Sequence, residues 1–241
     1  MPSPEVQPYT LPEPARKPHY VQALFSRIAG HYDLMNDVMT FGLHRRWKAR
    51  ACRALRLEAG QRALDLCCGT GDLALEILRQ TPTARVVGVD FCEEMLAIAR
   101  RRLRDAPCEL MQGDAMRLPF EDDAFDGVVI AYGLRNVADA EGCLREIARV
   151  LRPGGRLAIL EMSRPTPLLH GLSRGWRFAI LPILGRLIAR DGEAYQYLPH
   201  SAQAFPPQHA LVEMMTRVGL QDARFENLMG GVCALHVAVA P

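Results

Sequence analysis

The sequence predicts an α/β fold built on a doubly wound, mostly parallel sheet. Three observations carry that prediction. Short β-branched apolar runs alternate with helical segments through the middle of the chain, a glycine turn follows the first of those runs, and two further strands close the chain around Gly230-Gly231. With 241 residues, 49% hydrophobic and 23% charged, the chain is long enough for one such domain with a sizeable core.

The elements follow in order. Pro2, Pro4, Pro8, Pro12, Pro14 and Pro18 are spaced so as to prevent helix, which makes 1–18 a mobile leader. One domain is expected over 19–241, with an N-terminal helical cap at 19–58. From Tyr20, the side chains Val21, Leu24, Phe25 and Ile28 share a helical face, and a second helix is expected from Gly42 to Leu55. Strands are then predicted at Arg62 to Leu66, Arg85 to Asp90, Cys108 to Gly113, Asp126 to Ala131 and Arg156 to Glu161. Helices at Asp72 to Gln80, Glu93 to Leu103 and Ala140 to Leu151 alternate with them, and Pro153-Gly154-Gly155 supplies a turn before the fifth strand. The rhythm breaks at 162–206, a proline-interrupted insertion of the kind that covers a substrate. A helix from Pro207 to Val218 and strands at Asp222 to Met229 and Cys233 to Val239 complete a seven-stranded sheet, one closing strand running antiparallel.

Composition disfavours several function classes. Lys and Arg total 29 against 27 Asp and Glu, too balanced for the electrostatic footprint of extended nucleic-acid binding. Seven cysteines without a CxxC pair indicate neither a metal site nor a disulfide framework and fit a reducing, cytoplasmic compartment. No 18-residue apolar run and no signal-peptide pattern is present, so membrane contact is expected to be peripheral at most.

The segment Ala63 to Ala74, ALDLCCGTGDLA, is a strand end, a glycine turn and a helix start. It fits G-x-G-x-x-A, which nicotinamide and flavin dinucleotides also use. Charge argues against a diphosphate, because Asp65 precedes the turn and Asp72 opens the helix; two carboxylates suit a ligand carrying an ammonium and a sulfonium. Gly69 and Gly71 allow close backbone approach. Asp90, about 20 residues on, is placed for ribose hydroxyls, and Asp114-Ala115 for an adenine amino group and ring nitrogen.

The segments DLCCGTGD, VVGVD, QGDAMRLPF and RVLRPGGRL resemble, in order and spacing, the motifs of class I S-adenosylmethionine methyltransferases. YDLMNDVMTFGLHRRWK (Tyr32 to Lys48), IAYGLRNV (Ile130 to Val137) and YQYLPHSAQAFP (Tyr195 to Pro206) narrow the resemblance to the ubiquinone/menaquinone biosynthesis C-methyltransferases, from about Val21 to the C-terminus. The resemblance implies a Rossmann-like methyltransferase fold and methylation of a ring carbon of a prenylated quinol. It also implies S-adenosylmethionine as cofactor, with Thr70, Asp90, Asp114 and Ala115 matching the family's binding positions, beside Asp65, Gly69 and Gly71 expected from the turn itself. Ala131 departs from it, since the family often carries Ser there.

A ring carbon becomes nucleophilic once an adjacent hydroxyl loses its proton, so the site needs a base or a stabiliser of the oxyanion. Arg135 and Asn136 are expected to stabilise the oxyanion, and Tyr32 to face the quinol. Asn36, His44, Tyr195 and Ser201 are expected to bind the substrate, with His44 or Asp37 receiving the proton. Tyr32, Asp33, Asn36, Asp37 and His44 are expected to fold over the cleft as a polar lid, the alternative for Asp33 and Asn36 being capping of a helix start. Leu168 to Arg190 mixes apolar runs with Arg174, Arg177, Arg186 and Arg190, the composition of a helix at an anionic lipid surface. A small-molecule O-methyltransferase and a non-catalytic cofactor-binding scaffold stay open as readings, and a homodimer is compatible with all of them.

Overall fold

The computed structural model describes residues 9–13, 15–176, 180, 183, 185 and 191–241, leaving aside the side chains at 168, 170, 172 and 174. Residues 1–8 of the expected leader lie outside the described residues, as do Arg177, Arg186 and Arg190 of the expected lipid-facing segment.

Strands β1 (Arg62–Leu66), β2 (Arg85–Asp90), β3 (Cys108–Gln112), β4 (Phe125–Ala131), β5 (Leu151–Met162), β6 (Gln221–Leu228) and β7 (Cys233–Val239) form one sheet in the order β3-β2-β1-β4-β5-β7-β6. The first five pair in parallel, and β7 runs antiparallel to both β5 and β6. Order reverses between β1 and β4, which opens a crevice at the carboxyl ends of those strands. β5 begins at Leu151, earlier than the predicted Arg156, because Leu151 pairs with Phe125 before Pro153-Gly154-Gly155 loops out and Arg156 resumes the ladder opposite Gly127.

Alternation along the strands divides the core. Val128 and Ile130 of β4 pack on one face with Leu144 and Ile147 of helix α6 (Ala140–Val150) and Leu211 of α9 (Gln208–Arg217). Val129 packs on the other with Cys52 of α3 (Leu43–Ala54), Ile77 of α4 (Asp72–Gln80) and Leu103 beyond the end of α5 (Glu93–Arg102). Both faces of the sheet are therefore covered, as a parallel sheet requires.

A third apolar cluster joins α1 (Lys17–Ile28), α2 (Tyr32–Thr40) and α8 (Ala194–Ala204) through Leu24, Ile28, Met35, Tyr195 and Leu198. Helix α2 stands where the sequence suggested a polar lid with a helix start. It ends at two left-handed residues, Phe41 (φ 52) and Gly42 (φ 73), which separate it from α3. The leader is also shorter than expected: Tyr9 is docked, its hydroxyl 2.7 Å from that of Tyr20 and its ring 4.9 Å from His200, and α1 begins at Lys17. Tyr9 brings apolar ring surface to bury and finds a hydroxyl partner, which the prolines around it do not prevent. Helix α7 (Pro167–Gly175) lies in the insertion. Among the described residues no helix is long and apolar enough to cross a membrane.

Candidate active site

A cavity of about 140 Å³ opens at the crevice between β1 and β4. Leu66 ends β1, and the chain then turns through Cys67 (φ 55), Gly69 (φ 54) and Gly71 (φ 83) into α4. A Cβ on Gly133, just after β4, would lie 2.5 Å from that of Cys67, so glycine there lets the two strand-end loops approach. Asp90 ends β2 and accepts from the Gly69 amide (2.7 Å) and the Cys92 amide (2.8 Å); burial raises the pKa of its carboxyl. Asp114 accepts from the Met116 amide at 2.9 Å. Gly69, Asp90, Asp114 and Ala115 all line the cavity, and Ala131 lines it without a side-chain hydroxyl.

Three expected cofactor residues do not line this cavity. Asp65 is fully buried behind the turn, accepting from the Ala74 amide at 3.0 Å, and burial pushes its carboxyl up to about 8. Thr70 turns its hydroxyl to Asp33 of α2 (2.8 Å) and receives Arg102 (3.0 Å). Gly71 faces α5, since a Cβ there would lie 2.7 Å from Leu103 Cδ1. Nor does Asp72 act as a free negative charge. Burial works to raise its pKa, but the ion pairs to Lys48 (2.8 Å) and Arg102 (2.5 Å) prevail and hold it at about 2.

The expected choice of ligand by Asp65 and Asp72 is therefore corrected: one carboxyl is neutralised by burial, the other by two cations. The acids that do line the cavity are Asp90 and Asp114. No Lys, Arg or His is among the described residues lining the cavity, whose walls include Val89, Phe91, Met95 and Met116. With two carboxyl groups and no cation among its described lining residues, the cavity offers a diphosphate no counter-charge.

A second cavity, of about 350 Å³, lies under α2, α7 and α8. Its walls are mostly apolar and include Met35, Met39, Trp47, Leu169, Trp176 and Leu198. Tyr32 and Tyr132 line both cavities, so the two spaces adjoin across these side chains. Of the expected substrate residues, Asn36, His44 and Tyr195 line the second cavity. Ser201 does not: its hydroxyl donates to the Leu198 carbonyl at 3.0 Å, and it lies six residues beyond Tyr195, about 240° around the helix axis.

Three buried atoms on residues of this apolar wall have no hydrogen-bond partner: Asn36 Nδ2, Tyr195 Oη and Arg135 Nε. A buried polar group left so costs about 1–3 kcal/mol, and three on one cavity point to a ligand with oxygens. Arg135 sits in the 3-10 turn Leu134–Asn136, its Nη1 donating to Glu161 Oε1 (2.6 Å) and to the Tyr132 carbonyl (2.7 Å). Glu161 is buried at the end of β5 and was not singled out from the sequence, although it ends a parallel strand as Asp90 does. Asn136 lines the first cavity instead, giving its amide to the Tyr132 carbonyl (3.0 Å) and accepting from Tyr197 (3.0 Å). Tyr132 itself is held at φ 59, a left-handed conformation unusual for a bulky residue.

The model of the ubiE/COQ5 methyltransferase family matches residues 14–240. The chain is 47% identical to a demethylmenaquinone methyltransferase of Thermus thermophilus over 221 residues, 90% of this chain and 100% of that one. It is 42% identical to the ubiquinone/menaquinone biosynthesis C-methyltransferase UbiE of Pseudomonas fluorescens, covering 96% of this chain and 92% of that one. Among solved structures, the [4+2]-cyclase SpnF superposes with a TM-score of 0.69 at 18% identity, over 92% of this chain and 95% of that one. A methyltransferase of Thermotoga maritima, described as a possible histamine N-methyltransferase, gives 0.65 at 20% identity, over 91% and 99%. These two likenesses speak for the fold alone.

Proposed function

Because the chain belongs to the ubiE/COQ5 methyltransferase family, we propose that its two adjoining cavities carry out S-adenosylmethionine-dependent C-methylation of a prenylated quinol in menaquinone and ubiquinone biosynthesis. The observation that carries the reading is the pairing of a crevice lined by Asp90 and Asp114 with an apolar cavity across Tyr32 and Tyr132. Demethylmenaquinol is the acceptor assigned first, and the benzoquinol precursor of ubiquinone the second.

In this reading Asp90 holds the ribose hydroxyls, Asp114 and Ala115 the adenine edge, and the backbone at Gly69 the amino-acid portion. S-adenosylmethionine, when bound, supplies an electrophilic methyl on a sulfonium. The protein's contribution is to align the acceptor with it and exclude water. Asp65, Thr70 and Gly71 act from behind the turn. Thr70 in particular ties the turn to α2 through Asp33 and Arg102, which joins the cofactor loop to the helix bearing Tyr32 and Asn36.

The ring enters the second cavity with its oxygens toward Asn36, Tyr195 and Arg135. Arg135 is fixed by Glu161, and its unpartnered Nε is left for a phenolate oxygen as charge develops. Asn136 serves by holding Tyr132 in place. The prenyl chain follows the apolar wall outward to a rim formed by Phe41, Trp176 and Met229. The rings of Phe41 and Trp176 lie 5.2 Å apart, and Phe41 is 73% exposed and Met229 52%. That rim suits a protein resting on a membrane surface from the cytoplasmic side, with the helical cap and helices α7 and α8 enclosing the substrate. No nucleic acid takes part, and a homodimer is compatible with the arrangement.

The test is incubation of the chain with methyl-labelled S-adenosylmethionine and each reduced quinone precursor. Label on a ring carbon of demethylmenaquinol is expected; label on oxygen, or none under reducing conditions, refutes the reading.

A further inference from the structure

Deprotonation of the acceptor hydroxyl needs a group that is unprotonated at neutral pH and borders the ring. The titratable side chains among the described lining residues of the second cavity are Tyr32, His44, Tyr132, Arg135, Tyr195 and Cys233. Burial pushes Tyr132 and Tyr195 upward and Cys233 up to about 12, so these three keep their protons. Arg135 is a cation held by Glu161. Tyr32 stands on the wall the two cavities share, beside the methyl donor's space. His44 remains.

Its hydrogen bonds fix which ring nitrogen is free. Thr40 Oγ1 spends its one proton on the Asn36 carbonyl at 2.7 Å, as helical threonines do. The contact between Thr40 Oγ1 and His44 Nδ1, at 2.8 Å, must then be donated by the imidazole, which leaves Nε2 with its lone pair. Nε2 lies 3.8 Å from Asp37 Oδ1, a carboxylate held ionised by Arg45 at 2.7 Å. Burial and nearby Lys48 keep the ring neutral at rest, Lys48 itself being paired with Asp72.

Building on the quinol-methyltransferase reading, we propose that His44 is a catalytic residue, the general base that takes the acceptor's hydroxyl proton on Nε2, with Asp37 facing the imidazolium so formed. The O–H bonding pair stays on oxygen and feeds the ring. The ring carbon then forms its bond to the methyl as sulfur retains the old S–C pair. Loss of the ring C–H proton to water restores aromaticity, and the proton on Nε2 returns to the oxygen, so one proton is released per turnover.

The experiment is a pH series of kcat with demethylmenaquinol for the unaltered chain and for His44→Asn, which keeps a donor toward Thr40 and lacks Nε2. The unaltered chain should lose kcat on the acid side as His44 protonates. Besides the charges already named on Asp37, Arg45, Lys48 and Asp72, the Arg135–Glu161 pair lines or borders the same cavity and is present in both proteins. His44→Asn should lower kcat by roughly 10²–10⁴-fold and abolish the acid limb, with cofactor affinity unchanged. A halogenated quinol whose hydroxyl is already ionised at the assay pH should recover most of that loss, an outcome a merely misfolded variant cannot give. An intact acid limb in His44→Asn, or equal loss with the ionised acceptor, overturns the assignment alone. No turnover by the unaltered chain overturns the methyltransferase reading and this assignment with it.

Discussion

Replacing Tyr195 by Phe should make the ligand-free protein more stable and the enzyme worse. The Tyr195 hydroxyl is buried on the wall of the acceptor cavity with no partner, while its ring packs among Leu24, Ile28 and Met35. Phe keeps the ring packing and removes the unpaired hydroxyl, relieving a cost of about 1–3 kcal/mol. For a domain of this size each kcal/mol moves Tm by roughly 2–4 °C, so a rise of a few degrees is expected in a thermal melt. The quinol would lose one hydrogen bond, about 0.5–1.5 kcal/mol net, which lowers kcat/KM by up to about tenfold. Cofactor affinity should not move, because Tyr195 lines only the acceptor cavity. A lower Tm for Tyr195→Phe, or an unaltered kcat/KM with demethylmenaquinol, refutes the argument that this hydroxyl is reserved for a ligand.

Two further predictions rest on other parts of the molecule. Serine at both Phe41 and Met229 should weaken sedimentation with phosphatidylglycerol vesicles at least about tenfold, since burying one such side chain contributes about 1.5–3 kcal/mol; equal sedimentation of variant and parent would remove the rim from any membrane contact. His236, buried on β7 with the Gln208 carbonyl 3.2 Å from Nε2, is held by burial at about 4 against an ordinary 6.5. The unfolded chain therefore takes up this proton first, so its contribution is fully present above pH 6.5 and is lost as pH falls toward 4, about 3 kcal/mol in all. Urea melts at both ends of that window should show a smaller acid loss for His236→Phe than for the parent, and parallel losses would exclude His236 as the cause.

Much of the sheet was legible because β2 and β4 are largely buried apolar runs bounded by turn residues, and β1 and β2 end at Leu66 and Asp90, where the glycine turn and a helix start follow. Helix α2 was harder to read, as YDLMND places Asp and Asn where they read equally as a capped helix start and as a polar lid, and only packing of Met35 against α1 and α8 decides. In the site, acids at strand ends were readable, since sheet topology alone brings Asp90 and Asp114 to one edge. Which way a turn residue points was not readable. Thr70 faces Arg102 and Asp33 because two elements distant in sequence meet it there. Tyr195 and Ser201 share a segment but not a helix face, and Glu161 matters only because Arg135, 26 residues earlier, folds against it.

Tyr132 has a consequence for how the two ligands influence each other. A bulky residue in a left-handed conformation is kept there by its surroundings, in this case by Arg135 and Asn136 gripping its carbonyl and by the Leu160 carbonyl, 2.8 Å from its amide. With Tyr32, it is wall to both cavities. Any adjustment of this partition that one ligand favours is inherited by the other, and linkage makes the influence mutual: the factor by which a seated quinol alters affinity for the methyl donor equals the factor by which the donor alters affinity for the quinol.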